Sequence, residues 1–498
     1  MTSDAGPPQA WQRLSPRMLL VHPVHEVLRQ LPLLVGSIVL GSATNNRLWS
    51  LLGLAVIVGL GIARWFTTTY RIDDDANGNV QLRSGVLQRN VLSVPRNRIR
   101  SVQTDARLLH RLLGLTVLRV STGQEGKGDS SFELDAVQVD EVSRLRAILL
   151  SAAAPDSATT RVVETQLARW APTWLRYSPL SFSGLLMIAA AVGLWYQTGF
   201  GQRFWRTRIA ESGLDAAQRF GVAASVSVVV TVIVLASVVL AVGRSLLTFG
   251  NLVLTRRPGA DGDTVHLRHG LVRVRERTYD MRRLRGGTLR EPLLVRAFGG
   301  ARLDAVMTGV NGAGEASLLL PPCPADTAAR VLTGLIGDAD AVAAPVRPHG
   351  RAAARRRWTR ALTVPAVVAV GLAVLALRSG VPQWVWPALV VLTGCCALLA
   401  ADRVRALGHR VDGDWLVARS GSVERRRDCI ATPGIIGWTV RQTLFQRRAG
   451  VATLVAATAA GTKRYEVLDI PVEMAWAVAA EASPWVAKCA WSVAEQRC

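Results

Sequence analysis

The stretch Arg83-Ser84-Gly85-Val86 has a counterpart at Arg268-His269-Gly270-Leu271 and another at Arg419-Ser420-Gly421-Ser422. In each case a strand-like run of alternating residues precedes the glycine, and a basic run follows it. Alternation with a period of two is typical of a β-strand, and a glycine at its end is typical of a turn. The three stretches therefore indicate an internal repeat.

The correspondence continues without a gap over about thirty residues. Four kinds of landmark stay in register: an apolar residue (Ile99, Leu284, Ile435), an apolar pair (Leu108-Leu109, Leu293-Leu294, Leu444-Phe445), an arginine (Arg111, Arg296, Arg447) and a second glycine (Gly114, Gly299, Gly450). A register of this length is not expected by chance. We therefore predict that three soluble units share one fold.

Each unit continues with strands separated by turns and ends in a helix. In the first unit Val142, Leu145 and Leu149 recur at helical spacing and form one apolar face. Ala325–Leu335 and Val472–Glu481 hold the matching places in the other units. Several strands followed by one helix predict an α+β domain of about 100 residues.

The first unit resembles the membrane-flanked bacterial pleckstrin-homology-like (PH-like) domain proteins. The resemblance rests on four stretches: Tyr70-Arg71-Ile72, Ser84-Gly85-Val86-Leu87, Val94 to Gln103, and Arg111 to Val117. It implies a bent antiparallel sheet closed at one end by a C-terminal helix, without catalytic residues or a cofactor. The later units depart from the pattern, since Asp280 and Ala431 stand where Pro95 stands, and we expect them to be degenerate copies.

Six apolar segments occur in three pairs, each pair before one unit. They are Leu31–Ala43, Leu48–Ala63, Leu180–Tyr196, Phe220–Gly243, Ala361–Leu377 and Val381–Ala401. A membrane-spanning helix needs about 20 apolar residues. The pairs therefore predict three transmembrane helical hairpins, although the short first pair also fits an interfacial or re-entrant hairpin.

The expected organisation alternates hairpins with PH-like domains in an α+β membrane protein. Its parts are an N-terminal segment 1–30, hairpin 31–63, domain 64–178, hairpin 179–243, domain 244–360, hairpin 361–401 and domain 402–498. Arginines flank the outer ends of the first and third hairpins, whereas their turns hold only Arg47 and Arg378. The positive-inside rule then places the termini and all three domains on the cytoplasmic side of a bacterial cell membrane. The arginines between the third and fourth segments weaken that assignment.

The formal net charge of +23 favours anionic lipid headgroups, or nucleic acid, as neighbours. Arg96, Arg98 and Arg100 alternate along a predicted strand and so share one face, which can meet anionic lipid or simply be solvated. Arg111, Arg296 and Arg447 are candidates for headgroup or partner binding. Their alternative role is to lie over the sheet with only the charge in solvent.

Sequence patterns for catalysis and metal binding are weak. His266 and His269 are three apart on a predicted strand, so they face opposite sides and cannot share a metal, and we expect both at the surface. Glu133 and Asp135 lack an accompanying base or nucleophile. The six scattered cysteines form no disulfide framework or zinc site.

These observations favour a non-enzymatic membrane protein whose tethered PH-like domains bind lipid headgroups, a membrane protein or a cytoplasmic protein. A transport or export component is the alternative, but Leu185–Tyr196 and Phe220–Val242 carry no charge for an ion pathway. A membrane enzyme lacks an acid/base cluster. Nucleic-acid binding lacks aromatic residues interleaved with the basic runs.

Overall fold

The structure is a computed structural model that describes most of the chain after residue 220 and separate segments before it. The described residues are 11–13, 69–72, 79–84, 90–95, 101–106, 113–121, 131–138, 140–142, 164–181, 221–258, 262–309 and 317–488, with single helical positions at 55, 59, 63, 66–67, 186, 188–190 and 192–193. Most of the first predicted hairpin and most of the third apolar segment lie outside these residues.

The described strands are short and all pair in antiparallel fashion. The first eleven are β1 Gln12–Arg13, β2 Thr69–Ile72, β3 Asn79–Ser84, β4 Asn90–Pro95, β5 Ser101–Ala106, β6 Leu115–Ser121, β7 Ser131–Gln138, β8 Thr165–Arg169, β9 Val253–Arg257, β10 Thr264–His269 and β11 Val274–Asp280. The others are β12 Leu284–Pro292, β13 Gly300–Met307, β14 Leu318–Pro324, β15 Gly408–Asp412, β16 Trp415–Ser420, β17 Glu424–Ala431, β18 Ile435–Arg441, β19 Val451–Thr458 and β20 Arg464–Pro471.

The described helices fall into long apolar helices and short helices beside the strands. They are α1 Val222–Phe249, α2 Leu293–Ala297, α3 Ala325–Ile336, α4 Ala339–Ala343, α5 Gly350–Ser379, α6 Val385–Ala406, α7 Leu444–Arg448 and α8 Val472–Ala482. Short 3-10 segments occupy Pro172–Ser181, Met281–Arg283, Thr432–Gly434 and Val486–Lys488.

Among the described helices, α1, α5 and α6 are long and apolar enough to cross a membrane. Their candidate spans are Ala223–Phe249, Gly350–Arg378 and Val385–Ala406, with mean hydropathies of 2.8, 2.1 and 1.8. At 1.5 Å per residue, even the 22-residue α6 is about 33 Å long, enough for a hydrocarbon core of about 30 Å. These spans match the fourth, fifth and sixth predicted segments.

The chain divides into two compact units, Met1–Arg169 with Leu247–Arg283, and Trp170–Leu246 with Leu284–Cys498. The first of these compact units contains a four-stranded sheet in the order β1-β2-β3-β4 and a seven-stranded sheet in the order β7-β6-β5-β11-β10-β9-β8. In the second sheet β5 pairs with β11, with Val102 opposite Thr278. An ion pair reinforces this junction, since the Arg273 Nε donates to Asp105 Oδ1 at 2.6 Å.

The second unit contains a six-stranded sheet in the order β14-β13-β12-β17-β16-β15 and a three-stranded sheet β18-β19-β20. Leu416 and Ile430 of the larger sheet share one buried core with Leu454 and Val467 of the smaller sheet. Val478 of α8 joins the same core. Two packed sheets with a helix after the last strand agree with the expected α+β character.

The order of elements recurs along the chain. Residues 253–336 contain three strands, a 3-10 turn, a strand, a short helix, two strands and a helix. Residues 408–482 contain the same elements in the same order. The equivalent glycines have equivalent conformations: φ is 106° at Gly270 and 96° at Gly421, whereas it is 69°, 73° and 67° at Gly114, Gly299 and Gly450.

Strand pairing crosses the predicted domain boundaries, which sequence analysis did not anticipate. Within the second unit, β12 from region 244–360 pairs with β17 from region 402–498, with Thr288 opposite Asp428. Within the first unit, β5 and β11 join regions 64–178 and 244–360 in the same way. Unpaired strand edges promote aggregation because their backbone N–H and C=O groups are free to pair with another chain. Each junction pairs two such edges with each other. The domain boundaries themselves stay a prediction.

The repeated glycines give a stability test with an internal control. A Cβ on Gly421 would lie 2.1 Å from the carbonyl oxygen of Glu424, and one on Gly270 would lie 2.1 Å from that of Arg273. A Cβ on Gly450 would meet nothing within 4 Å, so Gly450→Ala should lose only the left-handed backbone preference, about 1–2 kcal/mol. Gly421→Ala should therefore lower the thermal unfolding midpoint of the detergent-solubilised protein clearly more than Gly450→Ala. Equal midpoints would contradict this account.

Candidate functional site

The predicted binding arginines are only partly covered by the structure. Arg96, Arg98, Arg100 and Arg111, together with the landmark Gly85, lie outside the described residues. Arg296 lies on α2 and Arg447 lies on α7, the short helices that follow the fourth strand of each element series. The described part of the site is therefore built around these two helices and the long helices α5 and α6.

Arg296 is engaged in an ion pair rather than turned to solvent. Its Nη2 donates to Asp402 Oδ2 at 2.8 Å, and its side chain is mostly buried. Asp402 lies near the end of α6 and also accepts from Arg425 Nη2 at 2.7 Å. Arg296 and Arg425 therefore attach α2 and β17 to the end of an apolar helix.

Arg447 is exposed on α7, together with its neighbour Arg448. The helix begins at a capping box in which Thr443 Oγ1 accepts from the backbone N–H of Gln446, and the Gln446 side chain accepts from the backbone N–H of Thr443. Gly450 follows the helix with a positive φ, as is common after a helix end. This local sequence fixes a single helical turn.

Asp469 on β20 is the centre of a second carboxylate–arginine cluster. It is 1% exposed and pairs with Arg356 and with Arg357, whose Nη2 lies 2.7 Å from Asp469 Oδ2. Gln446 of α7 donates to Asp469 Oδ1 at 2.9 Å. Because both arginines belong to α5, Asp469 ties the three-stranded sheet and α7 to the beginning of that helix.

A buried histidine pair lies at the same end of α5. His349 precedes the first residue of α5, and its Nδ1 lies 2.8 Å from the carbonyl oxygen of Leu468. A carbonyl only accepts, so neutral His349 carries its proton on Nδ1, and His409 Nδ1 donates to its Nε2 at 2.8 Å. Burial lowers the pKa of His349, and burial, with His349 and Arg347 nearby, lowers the pKa of His409 to about 4.

A polar cavity of about 330 Å³ lies along the junction of β12 and β17. Inside it, the Arg290 Nε lies 2.7 Å from Asp304 Oδ2, and Thr288 Oγ1 donates to Asp428 Oδ1 at 2.7 Å. Burial raises the pKa of Asp428. Arg290 Nη1 also donates to Glu424 Oε1 of β17 at 3.2 Å, so the Thr288–Asp428 and Arg290–Glu424 contacts both cross the junction and suit a role in fixing the strand pairing.

Within the described residues, no group of three or more His, Cys, Asp and Glu side chains could hold a metal ion. His266 and His269 have separate partners, Thr278 Oγ1 at 2.9 Å and the Thr248 carbonyl oxygen at 2.8 Å. His269 is buried, so the expectation that both histidines lie at the surface was wrong for it. Burial also raises the pKa of the Cys323 and Cys429 thiols to about 12, which keeps them protonated.

No sequence motif pointed to Asp402, Asp469, His349 or His409. Asp469 had a usable signal, since it is a lone carboxylate in the apolar run Val467-Leu468-Asp469-Ile470. Such a group is rarely buried without a cationic partner. The partners themselves are far away in the chain, so they could not be assigned from spacing.

The histidine pair predicts a loss of stability in mild acid. An unfolded histidine binds a proton near pH 6.5, whereas folded His409 resists protonation until about pH 4. The contribution of this histidine pair to the free energy of unfolding should therefore be fully present above about pH 6.5 and should decrease as the pH falls toward 4. His409→Asn keeps a donor for His349 but does not titrate. Its unfolding midpoint, measured by tryptophan fluorescence, should depend less on pH in this window than that of the parent protein. The same pH slope in both proteins would refute this role.

Comparison with known proteins identifies the fold family. The family model described as the bacterial PH domain matches residues 27–153 and 360–483, together half of the chain. The second match begins inside α5 and ends just after α8, and thus includes both apolar helices and the strands beyond them. Comparison with curated proteins and with solved structures found no match. The chain belongs to the bacterial PH domain family.

Proposed function

We propose that this protein is a non-enzymatic component of the bacterial cytoplasmic membrane, and that its PH-like domains bind lipid headgroups or partner proteins at the inner surface. The observation that carries the proposal is the attachment of the PH-like region 402–498 to the apolar helices α5 and α6. Asp469 pairs with two arginines at the start of α5, and Asp402 near the end of α6 pairs with Arg296 and Arg425. These contacts keep the region at the level of the headgroups.

We propose further that the chain contains three copies of a hairpin followed by a PH-like domain. The family model covers the first and third copies. For the middle copy, support comes from the shared order of elements in residues 253–336 and 408–482 and from the matching glycine conformations. We infer that the middle copy, which lies between the two matched ranges, has diverged further from the family pattern than the other two.

The apolar helices support an anchoring role over transport. Residues 222–243, 361–377 and 385–401 contain no Asp, Glu, Lys or Arg. Intramembrane charged residues mark ion and proton pathways, and these described segments have none. The arginines cluster instead at the ends that adjoin the PH-like region, as the positive-inside rule expects of the cytoplasmic side.

The orientation can be tested with paired cysteines in the full chain. A cysteine at Gly461 would place its Cβ 2.2 Å from the Tyr465 hydroxyl, so the exposed neighbour Thr462 is the better position. In intact cells Thr462→Cys should resist a thiol reagent that does not cross the membrane, whereas Gln383→Cys, in the turn between α5 and α6, should react. Cys395, Cys396, Cys489 and Cys498 are replaced beforehand. Labelling of Thr462→Cys in intact cells would reverse the topology.

Headgroup binding can be tested by lipid-dependent stability of the full chain. The whole chain is needed because β5 pairs with β11, so the fragment 64–178 would expose a strand edge. Adding phosphatidylglycerol to the protein in neutral detergent should raise its unfolding midpoint more than phosphatidylcholine does, and salt should weaken the difference. Changing Arg96, Arg98 and Arg100 to Glu should reduce the preference.

Equal stabilisation by the two lipids, or an undiminished preference in the triple variant, would exclude this face as a headgroup site. A protein partner would then be the remaining ligand class. Such a partner can be identified after crosslinking in membranes.

A further inference from the structure

The two short helices expose the same apolar pair that marks the sequence repeat. In α7, Leu444 is 80% and Phe445 is 75% exposed. In α2, Leu293 and Leu294 are 37% and 38% exposed, and Phe298, just after the helix, is 63% exposed. Apolar residues that recur at matched positions usually lie in a core, but these lie at the surface.

Both helices are attached to the same end of the α5–α6 hairpin. Gln446 of α7 bonds Asp469, which pairs with Arg356 of α5. The end of α7 also packs there, since Ala449 lies against a cluster containing Ala353 of α5 and Leu407 after α6. For α2, Arg296 pairs with Asp402, the residue after the apolar segment that ends at Ala401.

Trp358 gives the level of the membrane surface on α5. It is 37% exposed and stands two residues after Arg356. From Trp358 to the end of α5 the helix rises about 32 Å, close to the thickness of the hydrocarbon core of about 30 Å. Exposed Trp384 lies at the opposite end of the hairpin. Tryptophans at both ends are typical of the two membrane interfaces, so α7 is attached at interface level.

We propose that α2 and α7 are membrane-surface anchors of the regions to which they belong, 244–360 and 402–498. Leu444 and Phe445 enter the boundary between headgroups and acyl chains of the bilayer that α5 and α6 cross, and Leu293, Leu294 and Phe298 do so beside α6. The exposed Arg447 and Arg448 meet lipid phosphates from the same turn of helix. This inference rests on the proposed membrane location and adds a second, apolar mode of lipid contact to it.

The neighbouring charges favour lipid as the occupant. An apolar pair followed by arginines is the composition of segments that lie in the interface of anionic membranes. The first sequence repeat, residues 64–178, has the same apolar pair followed by an arginine: Leu108, Leu109 and Arg111. These three residues lie outside the described residues. A second copy of the chain or another protein would cover the pair without requiring it to lie at headgroup level.

The test uses the full chain in nanodiscs of phosphatidylethanolamine and phosphatidylglycerol. An environment-sensitive fluorophore is placed on Leu444→Cys or, as a control, on Thr462→Cys. The control lies at the far end of the β19–β20 hairpin, about 25 Å from α7, because the eight residues of β19 rise about 3.3 Å each. A lipid with a nitroxide near the top of its acyl chain should quench the Leu444→Cys probe several-fold more than the control.

A second comparison separates lipid insertion from structural damage. The double variant Leu444→Ser and Phe445→Ser should increase amide hydrogen exchange of α7 in nanodiscs but not change the unfolding midpoint in detergent. Ile436→Ser is the matched control, since Ile436 is 70% exposed but lies at the opposite end of β18, beside the residue paired with Thr458. It should leave α7 exchange unchanged.

Equal quenching at Leu444→Cys and Thr462→Cys would overturn the inference. So would quenching of the Leu444→Cys probe that exceeds the control only when each disc holds one copy, since a second copy would then be the occupant that covers the pair in fuller discs. Either result can occur while the anionic-lipid preference persists, in which case the proposed function stands and the anchors do not. Loss of both the preferential quenching at Leu444→Cys and the preference for anionic lipid would exclude the proposed membrane-surface function as well.

Discussion

The contacts of the buried Asp469 carboxylate are the interactions on which the described structure around the start of α5 depends. The carboxylate accepts hydrogen bonds from Arg356 of α5 and from the side-chain amide of Gln446 of α7, and it forms an ion pair with Arg357 of α5. A buried ion pair adds little net stability when it replaces good apolar packing, but removing one partner typically costs about 3–5 kcal/mol. Asp469 therefore specifies an arrangement: the start of a membrane helix, a sheet edge and a surface helix must meet at one point.

Asp402 has the corresponding role on the second helix, at the same end of the hairpin. It lies one residue beyond the apolar segment of α6 and binds an arginine from α2 and another from β17. The two carboxylates thus attach the start of α5 and the end of α6 to the strands. Because α5 and α6 are antiparallel neighbours, these attached ends lie at the same end of the hairpin. The rest of the PH-like region is oriented by these contacts and not by a flexible linker.

Local features of this structure could be predicted from the sequence, whereas the strand partners could not. The repeated glycines have the same positive φ because the turns that contain them need it, and that requirement is visible in a few adjacent residues. The apolar segments of α1, α5 and α6 were likewise visible from length and composition. In contrast, β12 pairs with β17 through contacts such as Thr288 with Asp428, which are 140 residues apart.

The site was predictable to a similar extent. The repeat identified Arg296 and Arg447 as equivalent, but their surroundings differ, because Asp402 engages the first while the second is exposed. Their equivalence in the sequence therefore predicted where the two arginines lie in the fold, but it did not predict what each of them contacts. The carboxylates that decide the roles belong to α6 and β20, and only the folded chain brings them beside the short helices.

A PH-like region held this way needs little intrinsic affinity for the membrane. In the proposed location, attachment through Asp402 and Asp469 keeps α2 and α7 beside the bilayer continuously, so the effective concentration of lipid is set by the hairpin and not by diffusion. Under that constraint a few exposed apolar side chains and arginines suffice to set the tilt of the region against the surface.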